Sequence, residues 1–293
     1  MPIEYVGKNA APQLINIWLD AFSGDSRESI IDFFDFALNP ETCAVWVEDG
    51  RPVSMVFTLP AVLKTATGTN ALNLRYVYAA ATLSPYRGRG LFSRLLEQVH
   101  KGLESNGVDA CFLHPASPGL FKYYERLGYQ TYFYTNETTQ SAQDFLHGAC
   151  NTNECPGLKF DIDGVGAAAR RNLILSGHPA WVEWPDKLVN YAVKLAVSTG
   201  GAAVTGDGFW ALCEPYQNTL FIKEWLCRPE LENALKCAVS SMFKFDYLTV
   251  RQPVLQAGDT KKEFGMVCLL TKKAERLFAK TKNYAPYMGL AFD

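Results

Sequence analysis

The amino-acid sequence predicts an α/β (α+β) fold in which helices cover both faces of a mixed β-sheet. Three observations support this prediction. Two helical segments precede two strand-like runs that meet at Asp49-Gly50, a strong signal for an antiparallel hairpin. A later strand enters a turn that contains Gly88 and Gly90, and a helix leaves it toward another strand, which is typical of a parallel crossover. The second half of the chain has a similar order of elements, which indicates an internal structural duplication.

The first half of the chain alternates between helical and strand periodicity. Residues 9–22 carry apolar side chains at helical spacing, and Ser26 is suited to cap a second helix. Gly128 is suited to end the last helix of this half. The predicted elements are helices at 9–22, 27–38, 91–104 and 118–127, and strands at 43–48, 52–59, 72–83, 108–113 and 129–134.

The composition changes in residues 135–160, where Asn, Thr, Gln, Ser and Gly dominate, so we place a domain linker there. We expect residues 1–138 to form a first domain and residues 155–293 a second. The predicted elements of the second half are helices at 165–175, 185–198 and 229–242, and strands at 202–204, 208–214, 218–227, 245–250 and 264–270.

Length and composition restrict the class of protein. The 293 residues allow one large domain or two ordinary ones, and the hydrophobic and charged fractions, 48% and 20%, are those of an average globular protein. The net charge is −2, without the basic excess of a nucleic-acid-binding protein, so no nucleic-acid partner is expected. No apolar run reaches the roughly 18 residues of a membrane span, and the N-terminus lacks a signal-peptide pattern. We therefore expect a cytoplasmic protein without membrane contact.

The sequence contains eight cysteines. Several lie in apolar runs, such as Cys111 and Cys268, so we expect reduced and mostly buried thiols. Cys150 and Cys155 have a spacing that could serve a metal ion, but no matching second pair accompanies them. No metal site is predicted.

The turn between residues 84 and 95 is the strongest candidate for a ligand site. Gly88 and Gly90 allow the backbone to approach a ligand closely, and the start of the following helix contributes about half a positive charge. Arg87 and Arg89 add full charges, so the favoured ligand is a diphosphate. The turn lacks the residues of a Walker loop and of a dinucleotide fingerprint. The alternative is an ordinary strand–turn–helix corner with solvated arginines.

Two motifs resemble those of a known family. Arg87-Gly-Arg-Gly-Leu-Phe92 resembles the Arg/Gln-x-x-Gly-x-Gly/Ala signature of the GCN5-related N-acetyltransferases (GNAT superfamily), and Phe121-Lys-Tyr-Tyr-Glu-Arg-Leu-Gly-Tyr129 resembles the second landmark of that family. The duplicated order of elements is similar to the tandem-domain type of the enhanced-intracellular-survival acetyltransferases. The resemblance implies a GNAT fold followed by a second, degenerate GNAT-like domain. That second copy has Glu224-Trp-Leu-Cys-Arg-Pro-Glu-Leu231, without a glycine, in place of the turn.

The resemblance also implies a co-substrate, acetyl-CoA, and a set of site residues. Pantetheine would lie along the strand end and the pyrophosphate against the turn. Phe92 departs from the family pattern, because a Gly or Ala usually stands there, and its side chain would narrow the approach beside the pyrophosphate. The implied acyl-CoA-binding residues are Ala80, Ala81, Thr82, Arg87, Gly88, Arg89, Gly90, Leu91, Phe92 and Ser93.

Tyr124 aligns with the tyrosine acid of the family, so the resemblance implies a catalytic role for it. A phenol with a pKa near 10 protonates a thiolate with a pKa near 8.5 at a cost of about 2 kcal/mol, although hydrogen-bond donation alone would stabilise the thiolate. Packing within a helix face is the alternative role. The general base stays open between His114, the terminal carboxylate of Asp293 and an unassigned group.

The sequence thus predicts an N-acetyltransferase in which a primary amine of a small molecule or peptide attacks the thioester directly. A non-catalytic acyl-CoA sensor or interaction module is the alternative, and Phe92 favours it. Aromatic residues of the two N-terminal helices, Trp18 and Phe22 among them, are suited either to the core or to an acceptor pocket.

Overall fold

The computed structural model describes residues 2–66, 68, 71–147, 166–255 and 258–292. The chain divides into two compact units. Unit 1 consists of Met1–Val62, Leu72–Thr131 and Gly265–Ala279, and unit 2 of Leu63–Ala71, Tyr132–Phe264 and Lys280–Asp293. These ranges differ from the sequence-based ranges 1–138 and 155–293, because a segment from near the end of the chain belongs to unit 1.

The described part of the chain contains helices and strands that largely follow the predicted order. The α-helices are α1 Ala11–Ala21, α2 Arg27–Ala37, α3 Leu91–Ser105, α4 Pro118–Glu125, α5 Ala142–Leu146, α6 Ala167–Leu175, α7 Asp186–Ser198, α8 Glu232–Met242 and α9 Lys272–Thr281. The strands are β1 Ile3–Tyr5, β2 Cys43–Glu48, β3 Arg51–Thr65, β4 Leu72–Thr82, β5 Ala110–Leu113, β6 Gln130–Ser141, β7 Ala180–Glu183, β8 Ala202–Gly206, β9 Phe209–Tyr216, β10 Thr219–Cys227, β11 Tyr247–Gln252 and β12 Lys262–Leu269.

Local signals account for several helix and strand boundaries. The Ser26 hydroxyl accepts a hydrogen bond from the Ser29 N–H at 3.1 Å, which confirms the predicted cap of α2. Asp49 and Gly50 both have positive φ, as a two-residue hairpin turn requires. The elements that the sequence analysis missed, β1, β7, α5 and α9, are mostly too short to show a hydrophobic period.

The predicted linker at 135–160 was wrong in its first part. Residues up to 141 continue β6, which pairs antiparallel with β11, and α5 follows. The threonines of this stretch are β-branched and therefore suit a strand despite their polarity. Residues 148–165 lie outside the described ranges, and so do Cys150 and Cys155 with their proposed metal spacing.

The sheet of unit 1 has the strand order β1-β2-β3-β4-β5-β12. The β1–β2 and β2–β3 pairs are antiparallel, β4 and β5 are parallel, and β12 is antiparallel to β5, so the predicted mixed sheet is confirmed. Cys268 of β12 lies opposite Cys111 of β5. This pairing explains why residues 265–279 belong to unit 1.

Helices cover both faces of the unit 1 sheet. Leu95, Leu96 and Val99 of α3 pack in one core with Cys111 and with residues of α4. The opposite face carries an aromatic cluster from α1, α2 and the strands, with ring centroids 5.0–6.2 Å apart, formed by Trp18, Phe33, Phe34, Phe57 and Tyr78. Successive strand residues point to opposite faces, and the adjacent side chains of β5 are accordingly divided between these two cores.

The strands β4 and β5 pair over a short distance only. Leu74–Tyr76 pair with Ala110–Phe112, whereas β4 continues to Thr82. Ala79 has φ +47°, an unusual conformation for a residue other than glycine and one that marks a local distortion of the strand. The end of β4 is therefore free of β5 where it approaches the turn.

The sheet of unit 2 has the order β6-β11-β10-β9-β8 and is also mixed. β10 pairs in parallel with β11 over Thr219–Ile222, has an irregularity between Ile222 and Glu224, and continues to Cys227. A 3-10 turn at Pro229–Leu231 and helix α8 follow. Unit 2 thus repeats the strand, short turn and helix order of β4 and α3.

Six cysteines lie in the described ranges, all with free thiols, and four of them are buried. Among the described residues, no helix is long and apolar enough to cross a membrane. Within the same ranges, no cluster of three metal-ligating side chains occurs.

Candidate functional site

A cleft of about 520 Å³ opens in unit 1 where β4, the glycine turn, α3 and α4 meet. The end of α1 contributes Ala21 and Phe22 to its wall. The full lining consists of Ala21, Phe22, Ala80, Ala81, Thr82, Tyr86, Arg87, Gly88, Gly90, Leu91, Phe92, Ser93, Leu120, Tyr123 and Tyr124. The structure therefore brings together all of the residues predicted to bind acyl-CoA except Arg89, together with Tyr124.

The turn of the cleft depends on two left-handed glycines. Gly88 has φ +77° and Gly90 has φ +70°, and Gly90 is the N-cap of α3. A Cβ at either position would meet no atom within 4 Å, so the backbone conformation, and not crowding, requires glycine. Arg94 N–H donates to Gly90 O in the first bond of the helix. The N–H groups of the preceding helical residues are left for a ligand, and the first turn of α3 carries no acidic residue.

Arg87 is directed toward the protein. Its Nε donates to Thr82 O at 2.8 Å, and its Nη2 donates to the Asp20 carbonyl at 3.0 Å and to the Asp20 carboxylate at 2.7 Å. The side chain is 48% exposed, so one edge of the guanidinium still faces solvent.

Arg89 lies outside the lining of the cleft. Its guanidinium stacks on the Tyr86 ring at 4.9 Å, donates to Pro85 O at 3.1 Å and lies 3.7 Å from the Glu48 carboxylate. Each arginine of the turn was expected to add a full positive charge, but the carboxylates of Asp20 and Glu48 offset part of each charge. Attraction of an anion to this turn thus depends mainly on backbone N–H groups and the helix dipole.

The end of β4 is fixed on the side of β3. Ser54 Oγ lies 2.9 Å from Ala81 O and 2.8 Å from Thr82 Oγ1, and Leu83 N–H donates to Val53 O. Because backbone groups alternate along a strand, the peptide groups of Ala80 are directed to the other side, where β5 no longer pairs. This edge is available to a ligand that binds as an extra strand.

Tyr124 lies on α4 and is 9% exposed. Its ring contacts Tyr123 and Tyr129 edge to face, with centroids 5.3 and 5.5 Å away. Burial raises the pKa of the Tyr124 phenol well above its ordinary value, and Tyr123 adds to the shift. The phenol is thus a weaker acid than the sequence analysis assumed and stays a hydrogen-bond donor throughout the physiological pH range.

Several lining residues were not predicted as site residues. Phe22 lines the cleft, whereas Trp18 is buried in the core and donates to Asp25 at 2.6 Å. Tyr123, which was not singled out as a site residue from the sequence, also lines the cleft, and its hydroxyl lies 3.3 Å from Ser93 Oγ. Its position next to Tyr124 on a short helix was the available signal.

His114, one of the candidate bases, does not line this cleft. It follows β5 and is half-buried. Asp293 lies outside the described ranges. The preceding tail packs within unit 2, where Met288 O accepts hydrogen bonds from Trp184 Nε1 and Arg171 Nη2.

The residues that line the cleft fall within the part of the chain that a known family model matches. A family model for the acetyltransferase (GNAT) domain matches residues 2–132. No curated protein is significantly similar to the chain in sequence.

Solved structures share the fold at low sequence identity. A GCN5-related N-acetyltransferase from Anabaena variabilis has a TM-score of 0.73 and 12% identity over 92% of this chain and 72% of its own. One from Kribbella flavida has a TM-score of 0.69 and 15% identity, covering 92% and 71%. Eis1 from Mycobacterium abscessus has a TM-score of 0.69 and 12% identity, covering 92% and 74%. Residues 2–132 are therefore identified as an acetyltransferase (GNAT) domain, and the chain as a whole shares the fold of these solved structures.

Proposed function

We propose that this protein is an N-acetyltransferase that transfers the acetyl group of acetyl-CoA to a primary amine of a small molecule or peptide. The observation that carries the proposal is the cleft of unit 1, in which a free strand edge, a glycine turn at a helix N-terminus and a buried tyrosine line one space. Each of these features suits a different part of an acyl-CoA.

The pyrophosphate would lie against the N–H groups at the start of α3, and pantetheine along the unpaired edge at Ala80–Thr82. The thioester would then approach Tyr124. The amine nitrogen attacks the thioester carbon, the carbon–sulfur bond breaks, and the departing thiolate accepts a hydrogen bond or a proton. The raised pKa of Tyr124 favours hydrogen-bond donation over full proton transfer. The base that accepts the amine proton has no assigned residue.

A second function, an acyl-CoA sensor without catalysis, is favoured by Phe92. This side chain lines the cleft beside the turn, where a Gly or Ala would leave more room. We also propose that unit 2 is a second GNAT-like domain without a donor turn. The transferase and the sensor both predict one acyl-CoA site per chain.

The deciding experiment measures thiol release from acetyl-CoA in the presence of a panel of primary amines, together with calorimetry of CoA binding. The transferase predicts CoA binding and amine-dependent thiol release that is greatly slowed in Tyr124→Phe. CoA binding without turnover for any amine would favour the sensor. Absence of CoA binding would contradict both functions.

A further inference from the structure

Asp20, near the end of α1, is bonded to two residues of the turn that lines the cleft, Ser84 and Arg87. Its carboxylate accepts hydrogen bonds from the Ser84 N–H at 2.8 Å and from the Ser84 hydroxyl at 2.8 and 3.0 Å. The same carboxylate accepts the 2.7 Å bond from Arg87. One side chain thus connects the residue that starts the turn to the arginine that precedes its glycines.

The backbone of Asp20 adds to this connection. The Asp20 carbonyl lies in the last turn of α1, where carbonyls lack helical partners, and it accepts from Arg87 Nη2 at 3.0 Å. A cation is favourable at a helix C-terminus, so Arg87 stabilises the end of α1. Since Arg87 also donates to Thr82 O, a single guanidinium joins α1, the end of β4 and the turn.

Two effects of Asp20 on an anionic ligand oppose each other. Its negative charge disfavours a diphosphate nearby, whereas its hydrogen bonds fix the backbone that would bind that diphosphate. The Asp20 carboxylate is paired with the Arg87 guanidinium at 2.7 Å, and the opposite charge of that partner offsets part of the repulsion. The hydrogen bonds are charge-assisted, short and directed, so their loss has the larger effect. The Ser84 bonds also hold the pKa of the Asp20 carboxyl below its usual value, which keeps it ionised.

We infer that Asp20 is a positioning residue for the donor turn: through Ser84 and Arg87 it holds the Gly88–Gly90 backbone in the conformation that binds the acyl-CoA pyrophosphate. This inference rests on the proposed function. Arg87 then supports ligand binding mainly through its contacts with Asp20 and Thr82, and direct contact with phosphate contributes less. Because Ala21 and Phe22 follow directly and line the cleft, the same bonds fix the end of α1 that borders the cleft.

The test is calorimetric titration of the full chain with CoA, for the wild type, Asp20→Asn and the matched control Asp35→Asn. Asp35 forms an exposed ion pair with Lys8 at 3.2 Å and is not bonded to the turn. We expect Asp20→Asn to weaken CoA binding about three- to tenfold, since it loses a charge-assisted bond, and Asp35→Asn to stay within about twofold. Repeating the titration in 1 M salt, where charges are screened within about 3 Å, should leave the deficit in place.

Two further measurements separate positioning from general damage. In steady-state kinetics, Asp20→Asn should raise KM for acetyl-CoA by the same factor as the CoA dissociation constant while kcat at saturating donor stays near the wild-type value. If Asp20 acts through Arg87, the double variant Asp20→Ala/Arg87→Ala should bind CoA about as well as Arg87→Ala alone. Ser84→Ala, which removes one of the partners, should show a smaller deficit and serves if an Asp20 variant folds poorly.

The outcomes are distinguishable from those of the proposed function. Wild-type protein without CoA binding would contradict the proposed function itself. Wild-type binding with equal or tighter binding by Asp20→Asn would overturn the inference alone, because it would mean that Asp20 acts only as a repelling charge. Additive losses in the double variant would overturn the role of Arg87 as the connection.

Discussion

The corner between β4 and α3 in unit 1 and the corner between β10 and α8 in unit 2 have the same order of elements but opposite chemistry. In unit 1, the 3-10 turn at Ser84–Tyr86 is followed by two left-handed glycines before the helix begins. In unit 2, α8 begins directly after the 3-10 turn at Pro229–Leu231, and Glu232 lies in its first turn. An acidic residue there already satisfies the helix dipole and repels an anion.

The two strand ends differ as well. The end of β4 in unit 1 is open, because Ala80, Ala81 and Thr82 line the cleft. In unit 2, Glu224 of β10 is fully buried and forms a two-bond ion pair with Arg171 at 2.7 and 2.8 Å, and it also accepts from Trp210 Nε1. A Cβ at Gly289 would lie 2.0 Å from the Glu224 carboxylate, so the C-terminal tail packs directly against this pair. The comparison leads us to propose that a strand–turn–helix corner serves as a donor site only when both its turn and its strand edge are left open.

The largest expected effect is on the buried pair of unit 2. Glu224→Ala leaves the Arg171 guanidinium buried without a counter-charge, so we expect the free energy of unfolding to fall by about 3–5 kcal/mol. Denaturant unfolding followed by tryptophan fluorescence measures it, since Trp181, Trp184, Trp210 and Trp225 belong to unit 2. The control Arg171→Met/Glu224→Leu should recover most of the loss. A loss of less than about 1 kcal/mol in Glu224→Ala would show that the ion pair contributes little to the stability of unit 2.

The next effect concerns the turn of unit 1. Gly90→Ala forces a Cβ into a left-handed conformation at a cost of about 1–2 kcal/mol and shifts the N–H groups that face the cleft, so CoA affinity should fall at least about tenfold. Calorimetry measures the change. Gly177→Ala, at a glycine with open space and no positive φ, is the control and should bind CoA normally. Normal CoA affinity in Gly90→Ala would show that ligand binding does not depend on the glycine turn.

Tyr124 gives a prediction about rate and pH. Tyr124→Phe should lower kcat about 10- to 100-fold, because it removes the hydrogen bond to the departing thiolate. Since burial raises the pKa of Tyr124 above 10, the phenol stays protonated below that pH, and the wild-type kcat should show no fall between pH 7 and 10 from its ionisation. Tyr129→Phe is the control: its hydroxyl contacts His100 Nε2 at 2.9 Å and does not line the cleft. A kcat equal to wild type in Tyr124→Phe would leave the tyrosine a packing role.

The smallest effect is expected at Arg89. Its charge is partly offset by Glu48 and its guanidinium stacks on Tyr86, so Arg89→Ala should change CoA affinity less than about threefold. The same calorimetric titration measures it. A loss of CoA affinity of more than about tenfold would show that Arg89 turns toward the ligand. In that case the charge of Arg89, more than the backbone of the turn, would distinguish the corner of unit 1 from that of unit 2.

Much of the fold was predictable because its signals are local. The period of α3, the cap at Ser26 and the hairpin at Asp49-Gly50 each depend on a few neighbouring residues, and each occurs as predicted. The predicted linker failed because a polar, threonine-rich strand becomes stable only through its partner β11. The insertion of β12 beside β5 is a pairing between residues far apart in the chain, which no local pattern records.

The sequence by itself determined the positions of the turn and of Tyr124, because glycines between a strand and a helix, followed by an aromatic helix, constrain the backbone locally. Only the tertiary structure decided what these residues face. It turned Arg87 toward Asp20 and Arg89 toward Glu48, and it set Ala21 and Phe22 against the cleft. In unit 2, it also placed the Arg171–Glu224 ion pair and the C-terminal tail at the end of β10. The physical reason is that charge pairing and exclusion of water depend on which distant segments meet, whereas backbone conformation depends mainly on the residues themselves.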